Sequence, residues 1–531
     1  VYSIVKKHFP KFNEASYVFE SNDQEDKIYD IISYGIPELM AYGEVNVAKE
    51  LQMVKIRPQP KISMGVTISN GLLNLDLVSS ELDLSELKDI FKSYHLKKKY
   101  HRLRSGEILQ LENSSLAELV EFTETCHIDQ KQMSSGHIEL PMHRSIYLDH
   151  MLHEMESISF RRDSQFKSLV RNFKSIQDSD YSIPENLISV LREYQKYGYR
   201  FLRTVEEYGF GGILADDMGL GKTLQVITFI YQAKLENKSG TSLVICPASL
   251  VYNWEKEFQR FAPDVKISTV VGSSTERKKK IEGYKQYDVI ITSYDLLKRD
   301  IVLYQEQMYL YQIIDEAQYI KNHSTQGAKA VKLIKAKTRF ALTGTPIENR
   351  LSELWSIFDY IMPDFLYSYE HFKKTFEMPI TKYKDDIITK QLSKLVQPFI
   401  LRRMKEQVLK DLPNKIEEVT YVKMEGEQQK LYDSYVLKVK ETLLKQTGEE
   451  YNKNKLKLLA DLTRLRQICC DPTLCYEDFN GTSAKLETCL ELIESARLAG
   501  HKILLFSQFT SMLSIISDKL MINSIPFYQI T

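Results

Sequence analysis

The chain has 531 residues, 43% hydrophobic and 27% charged, which excludes both a single small core and wholesale disorder and leads us to expect three or more folded units. Its 71 Lys and Arg residues are balanced by 71 Asp and Glu, so no global positive field advertises nucleic acid, and any such contact must come from a local groove. The six cysteines (Cys126, Cys246, Cys469, Cys470, Cys475, Cys489) lack paired metal-ligand spacing, and no apolar run approaches membrane-spanning length; a soluble protein of a reducing cell interior, without a metal site at its cysteines, is expected.

From Val1 to about Asp180 helical stretches mix with short alternating runs. In "KISMGVTISNGLLNLDLVSSELD" the pair Asn70-Gly71 is a strong hairpin signal, and an α+β accessory domain over 1–180 is expected. The basic patch that follows (Lys97, Lys98, Lys99, His101, Arg102, Arg104) reads as a solvated helix end rather than a nucleic-acid surface.

From about Leu191 the rhythm changes. "GGILA", "SLVICP", "ISTVV", "YDVIITS", "YQIIDEA" and "RFALTGT" are short apolar runs separated by helical segments. That alternation predicts a parallel, doubly wound α/β sheet with right-handed crossovers and its chemistry in the loops at the carboxyl ends of the strands. Leu351 to Tyr451 turns largely helical, with the charged "LLKQTGEEYNKNKLK" as an exposed helical tip. "KILLFSQF" then reads as the first strand of a second sheet, and "IPFYQIT" as strand-like.

Three strand ends carry candidate chemistry. Ala215 to Thr223, "ADDMGLGKT", follows "GGIL" and opens the helical "LQVITFIYQAKL", the context of a phosphate-binding loop. There Asp217, Met218, Gly219, Leu220 and Gly221 wrap the phosphates, Lys222 reaches the β/γ-phosphates and Thr223 holds Mg²⁺. Asp216 stands where the generic motif has its first glycine. The strand "YQIID" ends in Asp315-Glu316-Ala317-Gln318, which suits Asp315 on Mg²⁺ and Glu316 orienting and deprotonating the attacking water. "FALTGTPIEN" supplies Thr343, Gly344 and Thr345, in isolation a turn, but after the first two sites a segment whose threonine hydroxyls would sense hydrolysis.

In combination these residues resemble the Swi/Snf ATPases of helicase superfamily two. "LREYQKYGYRFL" is similar to the family's adenine-side motif, which implies Gln195 at the base edge. "VICPASLVYNWEKEF" and "VIITSYDLL" resemble motifs Ia and Ib, which line the DNA track in relatives and point to Ser249, Thr292 and Ser293 as backbone contacts or, equally, as caps. Trp254 reads as core packing in preference to base stacking. "FILRRMKEQVLKDLPNK" is a hallmark of this family, with Arg402 and Arg403 either anchoring the connector or coupling the lobes. "LTRLRQICCDPTL" and "KILLFSQFTSMLSII" match the continuation into a second lobe, and Gln318 stands where many relatives have histidine. The N-terminal region is similar to the helicase-associated domain of bacterial members.

The resemblance implies a RecA-like motor lobe over 181–360, a connector with helical protrusions over 361–470, and the beginning of a second RecA-like lobe over 471–531. It also implies ATP and Mg²⁺ as cofactors and a monomer acting on double-stranded DNA, and on DNA-bound protein such as a transcription complex, in the cytoplasm at the nucleoid. The first residue is Val1 and Thr531 directly follows a strand-like run, so a cut from a longer protein is expected, with the arginines that reach the γ-phosphate beyond Thr531 and turnover by residues 1–531 nearly silent. Two other readings stay open, a superfamily-two helicase or restriction-type translocase, and an ATP-gated nucleic-acid-binding scaffold.

Overall fold

The computed structural model describes residues 1–531 apart from 14–15, 17, 21–28, 50–55, 58–60, 112–113, 127, 345–349, 410–415, 445–454 and 531. It divides into two compact units, Val1–Leu412 and Pro413–Thr531, a division that falls inside the expected connector segment 361–470. No helix among the described residues is long and apolar enough to cross a membrane.

The first unit contains an accessory sheet of β1 (Ile62–Ser69), β2 (Leu72–Ser79), β3 (His137–Pro141) and β4 (Ser159–Arg162), in the order β3-β2-β1-β4. The β1-β2 hairpin closes on Asn70 and Gly71, both at positive φ (52° and 74°), the conformation a two-residue turn of this hand requires. Alternate residues Ile62, Met64 and Val66 of β1 and Leu73, Leu75 and Leu77 of β2 are buried on one face of the sheet, the period of two expected of a half-buried strand. The helix Ser164–Lys174 (α1) is capped by Asp163, whose Oδ1 accepts the Phe166 N–H at 2.7 Å. It buries Phe166, Leu169 and Val170 at helical spacing.

The motor lobe is built on β5 (Gly212–Leu214), β6 (Ser242–Cys246), β7 (Ile267–Thr269), β8 (Val289–Ser293), β9 (Met308–Ile314), β10 (Lys335–Leu342) and β11 (Ile400–Leu401). All pair in parallel, in the order β7-β8-β6-β9-β10-β5-β11. Each strand-like run read from the motor sequence forms one of these strands. Every residue of β6 and β8 is buried, as sheets covered on both faces demand. The fold is RecA-like. A single apolar core runs from the accessory sheet into the motor lobe, and Arg144 bridges the two by donating from Nη2 to the Phe365 carbonyl at 2.9 Å.

The second unit is helical among its described residues, with α2 (Gly426–Leu444), α3 (Lys455–Cys470), α4 (Ala484–Leu498) and α5 (Thr510–Ile522). Its apolar residues gather in two small clusters, one around Tyr435, Val439 and Ile468 and one around Leu486, Met512 and Ile516. The expected strand "KILLFSQF" is not formed. Neither it nor Ile525–Ile530 joins a ladder, and Leu504 and Phe506 are 85% and 88% exposed. An apolar run becomes a strand only when a neighbour takes up its backbone N–H and C=O groups, and no strand lies among the described residues of this unit. The expected helical tip at 443–457 falls mostly outside the described residues.

Candidate functional site

Register puts three loops at one edge of the sheet. Leu214 pairs with Leu342, and Ile314 with Ala341, so the phosphate loop, the acidic pair and the third motif leave three adjacent strands at nearly the same level. Neighbouring strands are spaced about 5 Å apart, which gathers all three loops within one nucleotide-sized region. A further helix, Lys222–Leu235, begins in this region with Gly221 as its N-cap at φ 73°. A side chain at Gly221 would also meet Gln195 Nε2 at 2.5 Å. Lys222 Nζ donates to the Asp216 carbonyl at 2.7 Å. Burial lowers its pKa, and the charges of Glu316, Asp315, Asp216 and Asp217 oppose that shift, which places the ammonium within the field of the acidic pair. Thr223 lies half-buried in the first turn of the same helix, Met218 and Gly219 are exposed, and Leu220 is buried.

Asp216, the departure from the generic motif, has a structural reason. Its carboxylate is wholly buried and is paired with Arg403, whose Nε donates to Oδ1 at 2.8 Å and whose Nη2 contacts Oδ2. Arg403 also donates to the Tyr194 carbonyl and, at 3.0 Å, to Gln225 Oε1. A side chain at Gly198 would collide with that Gln225 amide. The connector strand β11 thus docks beside β5 and locks the phosphate loop from beneath, and Asp217 Oδ2 accepts the Lys405 N–H at 2.9 Å. This pairing was not among the contacts expected from the sequence. The available signal was that a charge directly after an apolar strand must find a partner, and Arg402-Arg403 follows the apolar "FIL".

Asp315 is 7% exposed. Its Oδ1 accepts the Glu316 N–H and its Oδ2 the Trp254 indole N–H, both at 2.9 Å. Burial raises its pKa and the Trp254 bond opposes the rise. Glu316 turns back at φ 53°, a left-handed conformation that costs an ordinary residue roughly 1–2 kcal/mol and redirects its side chain relative to the strand. Its Oε2 accepts from Gln318 Nε2 at 2.7 Å, while Gln318 Oε1 accepts from Thr343 Oγ1 at 3.2 Å. Gln318 therefore bridges the acidic pair and the third motif. Gly344 packs against Met218, and Thr345 lies outside the described residues.

The remaining expected residues separate. Gln195 is buried beside the loop, where Oε1 accepts the Arg192 N–H and Nε2 donates to the Leu220 carbonyl, a brace for the loop. Ser249 is exposed at the start of a helix, Val251–Phe261, that carries Trp254. Thr292 and Ser293 are buried, with Thr292 Oγ1 directed at the Val270 carbonyl and Ser293 Oγ accepting the Leu296 N–H as a cap. Both hydroxyls thus have partners within the fold. Arg402 is exposed while Arg403 anchors. Trp254 is core, as its sequence context suggests, but core with a bond to Asp315.

A family model described as the SNF2-related domain matches residues 194–474, and one described as bacterial SNF2 helicase associated matches 1–184. The chain belongs to the SNF2 family. Within that family it is 35% identical over 471 residues to an ATP-dependent helicase of Mycoplasma pneumoniae, covering 87% of this chain and 44% of that protein. It is also 35% identical over 358 residues to the TATA-binding protein-associated factor MOT1 of Saccharomyces cerevisiae, covering 61% of this chain and 19% of that protein. A solved SWI2/SNF2 ATPase core of Sulfolobus solfataricus in complex with dsDNA is 41% identical, covering 64% of this chain and 70% of that chain at a TM-score of 0.42. This SNF2-family chain spans less than half the length of the curated relatives it matches.

Proposed function

We propose that the chain is the ATP-hydrolysing part of a double-stranded-DNA translocase that moves along duplex DNA and displaces bound protein, working as a monomer at the nucleoid in the cytoplasm. The observation that carries this reading is the continuous link Glu316–Gln318–Thr343 at the mouth of a phosphate loop, because it joins the group placed to deprotonate water to the segment that would report hydrolysis. Asp217 to Thr223 hold the phosphates through backbone N–H groups and Lys222. Glu316 takes the proton of the attacking water, and Gln318 fixes the orientation of that carboxylate.

Asp315 and Thr223 are hard oxygen donors suited to Mg²⁺, and a cation would relieve the cost of Asp315's buried charge. Mg²⁺ bound there would offset charge on the β- and γ-phosphates. Ser249 is exposed, and its hydroxyl would meet a DNA backbone. Kinship to helicases and to a TATA-binding protein-associated factor supports nucleic acid as the track and DNA-bound protein as cargo.

The test is ATP turnover by the whole protein with duplex DNA, single-stranded DNA, RNA or nothing added. Stimulation by duplex alone supports the reading; equal turnover under all four conditions overturns it.

A further inference from the structure

Two aromatic side chains outside the phosphate loop converge on Asp315. Trp254, 1% exposed and packed against Phe258 with ring centroids 6.1 Å apart, donates its indole N–H to Oδ2 of the carboxylate. Tyr294, the first residue of the helix Tyr294–Tyr304 after β8, donates its hydroxyl to the Asp315 main-chain carbonyl at 2.7 Å. Its ring lies parallel to that of Tyr319, with centroids 4.9 Å apart and planes at 4°. Tyr319 is 56% exposed. Each contact reaches back to a segment that resembles the DNA track. Trp254 sits five residues after exposed Ser249 on the same helical segment, alongside Tyr252, which is 56% exposed. Tyr294 directly follows Ser293 at the end of β8.

We infer that Trp254 and Tyr294 are positioning residues that couple nucleic-acid engagement to the divalent-cation affinity of Asp315. The inference rests on the proposed duplex-dependent function. The indole N–H occupies one lone-pair direction of Oδ2 and so fixes which directions of the carboxylate stay open to a cation. A small displacement of the Trp254 helix, driven from its Ser249 end, changes that bond directly. Tyr294 holds the backbone of the same residue, so movement at the end of β8 reaches it by a second route. Plain packing would not require the indole nitrogen to face a carboxylate. An apolar ring would fill the space as well, while leaving Oδ2 without its donor, a loss that in a buried carboxylate is costly.

The experiment measures Mn²⁺ binding by electron paramagnetic resonance in the whole protein with a non-hydrolysable ATP analogue, with and without a blunt DNA duplex. It compares wild type, Trp254→Phe and Tyr294→Phe, with metal-free nucleotide affinity and melting temperature measured alongside. In wild type the duplex should tighten Mn²⁺ binding. Trp254→Phe should weaken Mn²⁺ binding about 10-fold, the lower end of what outer-shell partners of metal ligands contribute, and abolish the duplex effect. Its affinity for metal-free nucleotide should stay at the wild-type value. Tyr294→Phe should keep most of the Mn²⁺ affinity and lose the duplex effect, which keeps the test open if Trp254→Phe does not fold. Wild-type Mn²⁺ binding in both variants, with the duplex response intact, overturns the inference. So does a wild-type protein that binds duplex without any change in Mn²⁺ affinity. A protein that binds no duplex at all overturns the proposed function itself and the coupling with it.

Discussion

Lys222 meets the Asp216 carbonyl at 2.7 Å while the charges of Glu316 and Asp315 reach it, and in the proposed function its ammonium meets the phosphates. Replacing Lys222 with Ala should lower ATP affinity about 10- to 100-fold, the value of a charge-assisted hydrogen bond of about 1.5–3 kcal/mol, with the fold retained. Calorimetry on this chain checks it, and unchanged binding would move the phosphate site elsewhere. Glu316→Gln keeps the shape of the side chain and removes the carboxylate proposed as the base. The whole protein should then bind ATP yet hydrolyse it about 10²- to 10⁴-fold more slowly, and wild-type turnover would assign the base to another residue. The Asp216–Arg403 pair is a third case. Either single replacement by Ala strands a buried charge and should cost about 3–5 kcal/mol, and the double variant should recover part of that loss. Urea unfolding of all three variants reads the coupling, and additive losses would show that the pair does not act as one. The phosphate loop and the acidic pair were legible because their chemistry is written in contiguous residues. The Asp216–Arg403 and Trp254–Asp315 contacts span 187 and 61 positions, and only the folded sheet brings such residues together.

Among the elements, β6 and β8 were readable because both faces of each are buried and the run is therefore largely apolar. The β1-β2 hairpin was readable from its turn residues. "KILLFSQF" has the same apolar character as β6 yet forms no strand, since composition fixes which residues can pair but not whether a partner lies beside them. The contact between accessory and motor elements was not legible at all. There His143 packs edge-on to Phe365 with centroids 5.1 Å apart, and burial, assisted by the Arg144 charge, pushes its pKa down to about 3. The native state therefore holds His143 neutral, while the unfolded chain protonates it near the ordinary value of about 6.5. Its stabilising contribution is fully present above that value and is lost as pH falls from there toward 3, by at most about 1.4 kcal/mol per pH unit. Melting of this chain should fall between pH 7 and pH 5, and His143→Phe should flatten that fall. An equal decline in the variant would place the titrating group elsewhere.

At the scale of the whole molecule, zero formal charge means that any binding to DNA must come from a local groove that meets the backbone phosphates. Such contacts release counterions and ignore base sequence. Affinity for duplex should therefore drop steeply between about 50 and 200 mM salt and vary little among sequences, as fluorescence anisotropy with several duplexes would show. Strong sequence preference would contradict a groove that tracks the backbone. The central claim is that ATP hydrolysis drives movement along an intact duplex. Triplex displacement by the whole protein tests it most directly, since a third strand annealed beyond a duplex entry site is released only when something moves along the duplex. Translocation should give ATP-dependent release of the third strand with the two duplex strands still paired, and no release by Glu316→Gln. Separation of the duplex strands, or a triplex left intact while ATP is consumed, would contradict it.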